Sequence, residues 1–193
     1  MHPWFARSAL LAATFLLLFL PARLHPRGTG ARTASSRKGR LETLLLALQF
    51  LGFFLPLVWV ATPWLAFADR ALRPAPFLAG LACFAAGLGL LHKTHAALGA
   101  NWSITLDVRE GHRLVTGGIY RRVRHPMYLA LLLYAAGQAL VAPNWVAGPA
   151  YLGAVLLLVV FRLGPEERMM RETFGKEYDD YRARTKRLVP GLW

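Results

Sequence analysis

Five apolar runs, at residues 3–20, 41–66, 77–98, 127–142 and 145–163, constrain this chain more than any other feature. About 20 apolar residues cross the hydrocarbon core of a bilayer, and a run of that length has few other stable environments. Hydrophobic residues make up 55% of the 193 positions and charged residues 17%, against about 25% charged in a soluble domain. The reading is an all-α membrane protein of one domain, residues 1–193, with five transmembrane helices. The fourth run is the shortest. Pro56 is expected to kink the second helix rather than end it, because apolar residues continue beyond it. Pro143 and Asn144 leave room only for a tight hairpin between the fourth and fifth, while Trp4, Trp64 and Trp145 fall near run ends, where indole rings favour the interface.

The net charge of +13 does not form a soluble basic face, so nucleic acid is excluded as a partner. The cations alternate with the apolar runs, which is how membrane orientation is encoded. Six Lys/Arg follow the first run, five lie in residues 99–126, and eight lie from Arg162 onward, against only Arg7, Arg70 and Arg73 on the other side. These counts place the N-terminus outside and the C-terminus in the cytoplasm, in a cell inner membrane. The same asymmetry, with only Arg7 ahead of the first run, is the reverse of a secretory signal, so residues 3–20 read as a true span. Residues 21–40 read as a flexible basic loop on anionic headgroups. Beyond Pro165 the tail reads as amphipathic helix, with Pro165 at its first position, Glu166 and Glu167 at its positive end, and Met170, Phe174, Tyr178 and Tyr181 as its apolar stripe. Gly175 is expected to divide it in two.

Two polar clusters frame the last helical hairpin. The first is the stretch HRLVTGGIYRRVRHPMY from His112 to Tyr128; the second is Arg162 to Glu167. Ionisable groups at a membrane face are costly to place and usually serve a site, which points to one pocket at the cytoplasmic mouth of that hairpin. Pro126 suits the first position of the fourth helix, whose free N–H groups favour an anion, and Gly117 and Gly118 allow close backbone approach. Plainer roles exist for each group. Arg121, Arg122 and Arg124 satisfy topology, Tyr120 and Tyr128 suit an interface, Arg162 suits a snorkelling cation, and Glu166 and Glu167 suit a helix cap. His92 and His95 share a helix face but lack a third metal ligand, so a structural or pocket-wall role is expected and no metal. Gly80, Gly87 and Gly89 read as helix-packing residues. Cys83 is the only cysteine, so no intrachain disulfide forms. Asn101-Trp102-Ser103 is a glycosylation sequon by letter only, on the cytoplasmic side. There is no Rossmann or Walker glycine motif.

The stretch from His112 to Tyr128, followed by an apolar hairpin and FRLGPEERMMRETFGKEYDDYRARTKRLVP, resembles the isoprenylcysteine carboxyl methyltransferase family of integral membrane enzymes. The likeness covers residues 98–190, and a five-span prokaryotic member has a similar layout over the rest. It implies methyl transfer from S-adenosylmethionine to the carboxylate of a lipophilic, prenylcysteine-like substrate. By that resemblance His112, Arg113, Leu114 and Val115 border the cofactor, Tyr120, His125, Pro126, Met127 and Tyr128 enclose it, and Glu166 completes its pocket. Arg162 faces the substrate carboxylate, with Glu167 beside it. Arg168 stands where the family often has a further acidic residue. Related sequences methylate phospholipid amines, which would need Glu167 or His125 as a base, and a similar C-terminal region occurs in nicotinamide-dependent lipid reductases. A scaffold whose loops only obey topology is the non-enzymatic alternative.

Overall fold

The computed structural model describes residues 2–19, 33–36, 39–99, 107–109 and 114–191. Helices α1 (Trp4–Phe19), α2 (Arg40–Ala61), α3 (Pro74–Leu98), α4 (Pro126–Val141) and α5 (Ala147–Phe174) coincide with the five apolar runs, and α6 (Lys176–Arg184) follows. Three of them, α2, α3 and α5, are long and apolar enough to cross a membrane. Helices α1 and α4 have 16 residues each, or about 24 Å at 1.5 Å per residue, short of a hydrocarbon core of about 30 Å. The fold is not purely helical: strand β1 (Thr33–Ser36) pairs antiparallel with β2 (Asp107–Arg109). Part of the expected basic loop is therefore an ordered ladder, which a four-residue polar strand does not announce.

Small residues set how closely the helices approach. Helix α3 lies along α4. A Cβ on Gly80 would meet Val141 Cγ2 at 2.6 Å, and one on Gly87 would meet the Tyr134 backbone nitrogen at 2.8 Å. Gly52 plays the same part where α2 crosses α5, with Ala150 O at 2.9 Å. Gly89 has nothing within 4 Å. The packing role expected of it is withdrawn, since it lies off the contact face. Between these crossings an aromatic core forms, with Phe84 against Tyr134 (4.9 Å between centroids) and Phe53 against Tyr151 (5.5 Å). Buried Gln138 donates to the Gly52 carbonyl at 3.2 Å, answering a polar group that would be costly unpaired.

Pro56 lies inside α2, which continues through it. Pro165 departs from expectation. It does not open a tail helix; α5 runs through it without a break. The missing N–H removes a single ladder bond, and burial of Arg162 and Leu163 before it and Glu167 and Met169 after it keeps the helix on course. The break falls at Gly175, at φ 52°, a left-handed conformation that costs glycine little, and α6 then turns Tyr178 and Tyr181 inward.

At one end of the bundle the α4–α5 hairpin is as tight as Pro143-Asn144 requires. Fully buried Asn144 donates to Leu65 O (2.7 Å) and Asp69 Oδ1 (2.8 Å) and accepts from the backbone of Val146 and Ala147. Asp69 also accepts from Trp59 Nε1 at 2.6 Å, and Arg70 donates to Ala139 O at 2.8 Å while lying over the Trp145 ring. Trp4, Trp64 and Trp145 are exposed, as interfacial rings would be.

Candidate functional site

The other end of the bundle gathers the charged residues. The chain enters α4 through a 3-10 turn, Gly118–Arg121, where Gly118 sits at φ 59°. The C-terminal segment then clamps the next residues. Arg124 N donates to Lys186 O (2.8 Å), His125 N to Arg187 O (2.9 Å), and Tyr181 Oη to the Tyr120 carbonyl (2.7 Å). Burial raises the phenols of Tyr120 and Tyr181 above their ordinary range, so both stay neutral donors. Pro126 occupies the start of α4, where its missing N–H would have lacked a helical partner anyway.

Arg124 is buried and forks onto Glu167 Oε1, with Nε at 3.0 Å and Nη2 at 2.8 Å; its Nη1 donates to the carbonyls of Arg182 and Thr185. The other oxygen, Glu167 Oε2, meets Arg187 at 2.9 Å. Of the two roles open to Arg124, the plainer one of a topology charge does not account for this contact, because a forked guanidinium–carboxylate pair fixes geometry. Glu167, expected beside the substrate, has both oxygens engaged by guanidinium groups.

His125 lies between two carboxylates, its Nδ1 3.6 Å from Glu166 Oε1 and its Nε2 3.5 Å from Glu167 Oε1. Burial disfavours its charged form, but the Glu166 and Glu167 carboxylates flanking it outweigh that and raise its pKa above 6.5. Tyr128 Oη donates to Glu166 Oε2, and the rings of Tyr128 and His125 lie 5.7 Å apart. Buried Arg162 places Nη2 3.7 Å from Oε1 of Glu42, a buried carboxylate on α2. Tyr128 feels the charges of Glu166, Arg162 and Glu42 together, so all four belong to one electrostatic neighbourhood.

The fold thus brings together Tyr120, His125, Pro126, Tyr128, Arg162, Glu166 and Glu167 from stretches about 40 residues apart in sequence. Met127 is half-buried in the first turn of α4, and Leu114 and Val115 are half-buried ahead of the 3-10 turn. His112 and Arg113 lie outside the described residues. Glu42 escaped the sequence reading, although it is the one charged residue in the run 41–66 and such a residue is seldom idle. For Arg162, α2 supplies Glu42 as one partner. His95 is buried with Nδ1 2.9 Å from Leu91 O, while His92 is exposed. Among the described residues no three His, Cys, Asp or Glu are grouped to hold a metal. What the cluster offers is an aromatic and carboxylate-lined wall beside a buried guanidinium, suited to holding a cation and an anion side by side.

The chain is similar to known proteins. A family profile described as phospholipid methyltransferase matches residues 76–177, more than half of the chain. Protein-S-isoprenylcysteine O-methyltransferase B of Arabidopsis thaliana is 31% identical over 107 residues, covering 53% of this chain and 54% of that protein. The protein-S-isoprenylcysteine O-methyltransferase of Schizosaccharomyces pombe is 35% identical over 81 residues, 41% of this chain and 34% of its own. The chain therefore spans about half, or less, of the length of these relatives. The solved eukaryotic intramembrane Ras methyltransferase, an isoprenylcysteine carboxyl methyltransferase, shares the fold with a TM-score of 0.54 at 23% identity, over 81% of this chain and 54% of that one. The cluster at the head of α4 and the end of α5 falls inside the segment that the profile matches, and on that match the chain belongs to the phospholipid methyltransferase family.

Proposed function

We propose that this protein is an S-adenosylmethionine-dependent carboxyl O-methyltransferase acting on a lipophilic, prenylcysteine-like acid at the membrane. The observation that carries the reading is the buried Arg162 guanidinium beside the Tyr128–Glu166–His125 cluster at the end of an apolar helix. The donor set fits the cofactor. Aromatic faces at Tyr120 and Tyr128 favour a sulfonium, and Glu166 suits its ammonium. When bound, S-adenosylmethionine supplies a methyl group on a positively charged sulfur.

An ionised carboxylate is already a nucleophile, so in-line displacement needs alignment more than proton transfer. Tyr120, Tyr128 and Glu166 would hold the donor, which would supply its methyl group to an oxygen of the acceptor carboxylate. Arg162 orients the acceptor carboxylate. His112, Arg113, Leu114 and Val115 border the cofactor, Met127 and Pro126 complete its wall, and Glu167 aims His125 rather than touching substrate. In this reading five helices cross the membrane, with the N-terminus outside and the cluster facing the cytoplasm. Lipid enters between helices from the bilayer, and cofactor enters from the water.

The carboxylates of Glu42 and Glu166 near Arg162, and a family profile described as phospholipid methyltransferase, also favour a second reading, an amine acceptor. Amine methylation must shed a proton, so its rate rises with pH in a range where a carboxylate acceptor's rate is flat. The deciding experiment supplies radiolabelled methyl donor and either prenylcysteine acids or phospholipid amines to detergent-purified protein. Label on the acid, with Arg162→Ala reducing kcat/KM by roughly a hundredfold or more while S-adenosylhomocysteine still binds, is the expected result. Label only on amines, or full turnover by the variant, would overturn the proposal.

A further inference from the structure

Three cations stand at the Asn144 end of the bundle, away from the charged cluster. Arg7 lies over the Trp4 and Trp59 rings, while Arg70 and Arg73 line one cavity of about 260 Å³, walled also by Leu72, Leu140, Pro143 and Trp145. Arg70 is held in place there. Its Nη2 donates to Ala139 O at 2.8 Å and Ala142 O at 3.3 Å, and its guanidinium lies 4.7 Å from the centroid of the Trp145 ring. These partners are neutral, and among the described residues no carboxylate lines the cavity. Asp69 is the only acid between Glu42 and Asp107, and its Oδ1 accepts from Trp59 and Asn144. Two guanidinium charges therefore border one small space with no acidic residue in its lining.

Size narrows the occupant. Sites for cofactors and drug-sized molecules run from about 300 to 1,000 Å³, so this cavity takes a smaller group. Its surroundings narrow it further. Trp64, Phe67 and Trp145 are 75%, 81% and 66% exposed at the same end, and exposed indole rings mark the headgroup level of a bilayer. Guanidinium groups match phosphate oxygens in both charge and geometry. We propose that the cavity binds the phosphodiester of an anionic phospholipid. Two cations with no lining acid favour a headgroup of net negative charge over one whose amine would need a carboxylate. The bound phosphate neutralises Arg70 and Arg73 and keeps Arg70 on the last carbonyls of α4, so the lipid reinforces the joint between α3 and the α4–α5 hairpin. This lipid role is independent of the methyl acceptor and of the reaction proposed above.

The test follows the unfolding temperature of the full chain in detergent micelles titrated with phosphatidylglycerol, with phosphatidylcholine or with inorganic phosphate. Phosphatidylglycerol should raise that temperature saturably, and the other two should do so far less. Arg73 is exposed, so Arg73→Gln should unfold at the wild-type temperature without lipid. Its midpoint for phosphatidylglycerol should rise about fivefold, the worth of one guanidinium near a lipid surface. Arg184→Gln removes an exposed cation from α6, at the other end, and should leave the midpoint unmoved. If Arg73→Gln does not fold, Arg70→Gln is titrated in its place with the same expectation. An unmoved midpoint in the folded variant overturns the proposal, as does an equal rise in Arg184→Gln, which would make the effect one of general surface charge. Equal stabilisation by phosphatidylcholine overturns the preference for an anionic lipid. A full shift with inorganic phosphate alone overturns the lipid as occupant.

Discussion

Helix α4 joins two polar ends of the bundle that are built differently. Around Asn144 polar atoms are answered mainly by backbone carbonyls, backbone N–H groups and indole rings. Around His125 ionised side chains face one another: Arg124 on Glu167, His125 between two carboxylates, Arg162 by Glu42. Neutral hydrogen bonds stabilise modestly and predictably. Buried charges are costly unless every partner stays in place. The first end has the composition of a structural joint, and the second that of a site, held together by the C-terminal segment.

The contrast breaks most readily at Arg124. Arg124→Ala leaves Glu167 buried without its fork and should cost about 3–5 kcal/mol, read as a large drop in unfolding temperature in detergent. A variant of wild-type stability would mean that the charged end is far more hydrated than its burial indicates. Overpacking the shared helix comes next. Gly80→Leu should destabilise by about 1–3 kcal/mol, whereas Gly89→Ala, facing open space, should be neutral to slightly stabilising. Equal effects at the two glycines would refute the helix contact described above. At the quiet end, Asn144→Ala removes the turn and its cross-loop bonds and should cost about 1–2 kcal/mol. Cofactor affinity should not change; a loss of binding there would blur the division between the two ends.

The smallest effect is one of pH. Glu166 and Glu167 raise the pKa of His125 in the folded chain above 6.5, with Arg124 and Tyr128 as its other close polar neighbours. A raised folded pKa contributes stability that is fully present below the unfolded value and is lost as pH rises through the folded one. The unfolding temperature should therefore decline from mildly acidic toward alkaline pH, and His125→Gln should flatten that decline. The same slope in the variant would assign it to another group.

Hydropathy alone marked the five helices, because apolar residues in runs of about 20 have few other stable environments. It also marked the polar segments that meet at the site, since ionisable groups stand out in such a background. The tight hairpin at Pro143-Asn144 and the break at Gly175 were legible because each depends on a local backbone property. Tertiary structure decided the rest. Pro165 looked like a helix start, but burial on both sides of it carried α5 through. Arg124 looked like a topology charge, and only the approach of α5 and the C-terminal segment made it a clamp. Glu42 was visible as a lone carboxylate, yet its pairing with Arg162, 120 positions away in the chain, comes from the crossing of α2 and α5. Local pattern reports what each segment prefers; which charges become partners depends on distances between helices, and packing sets those.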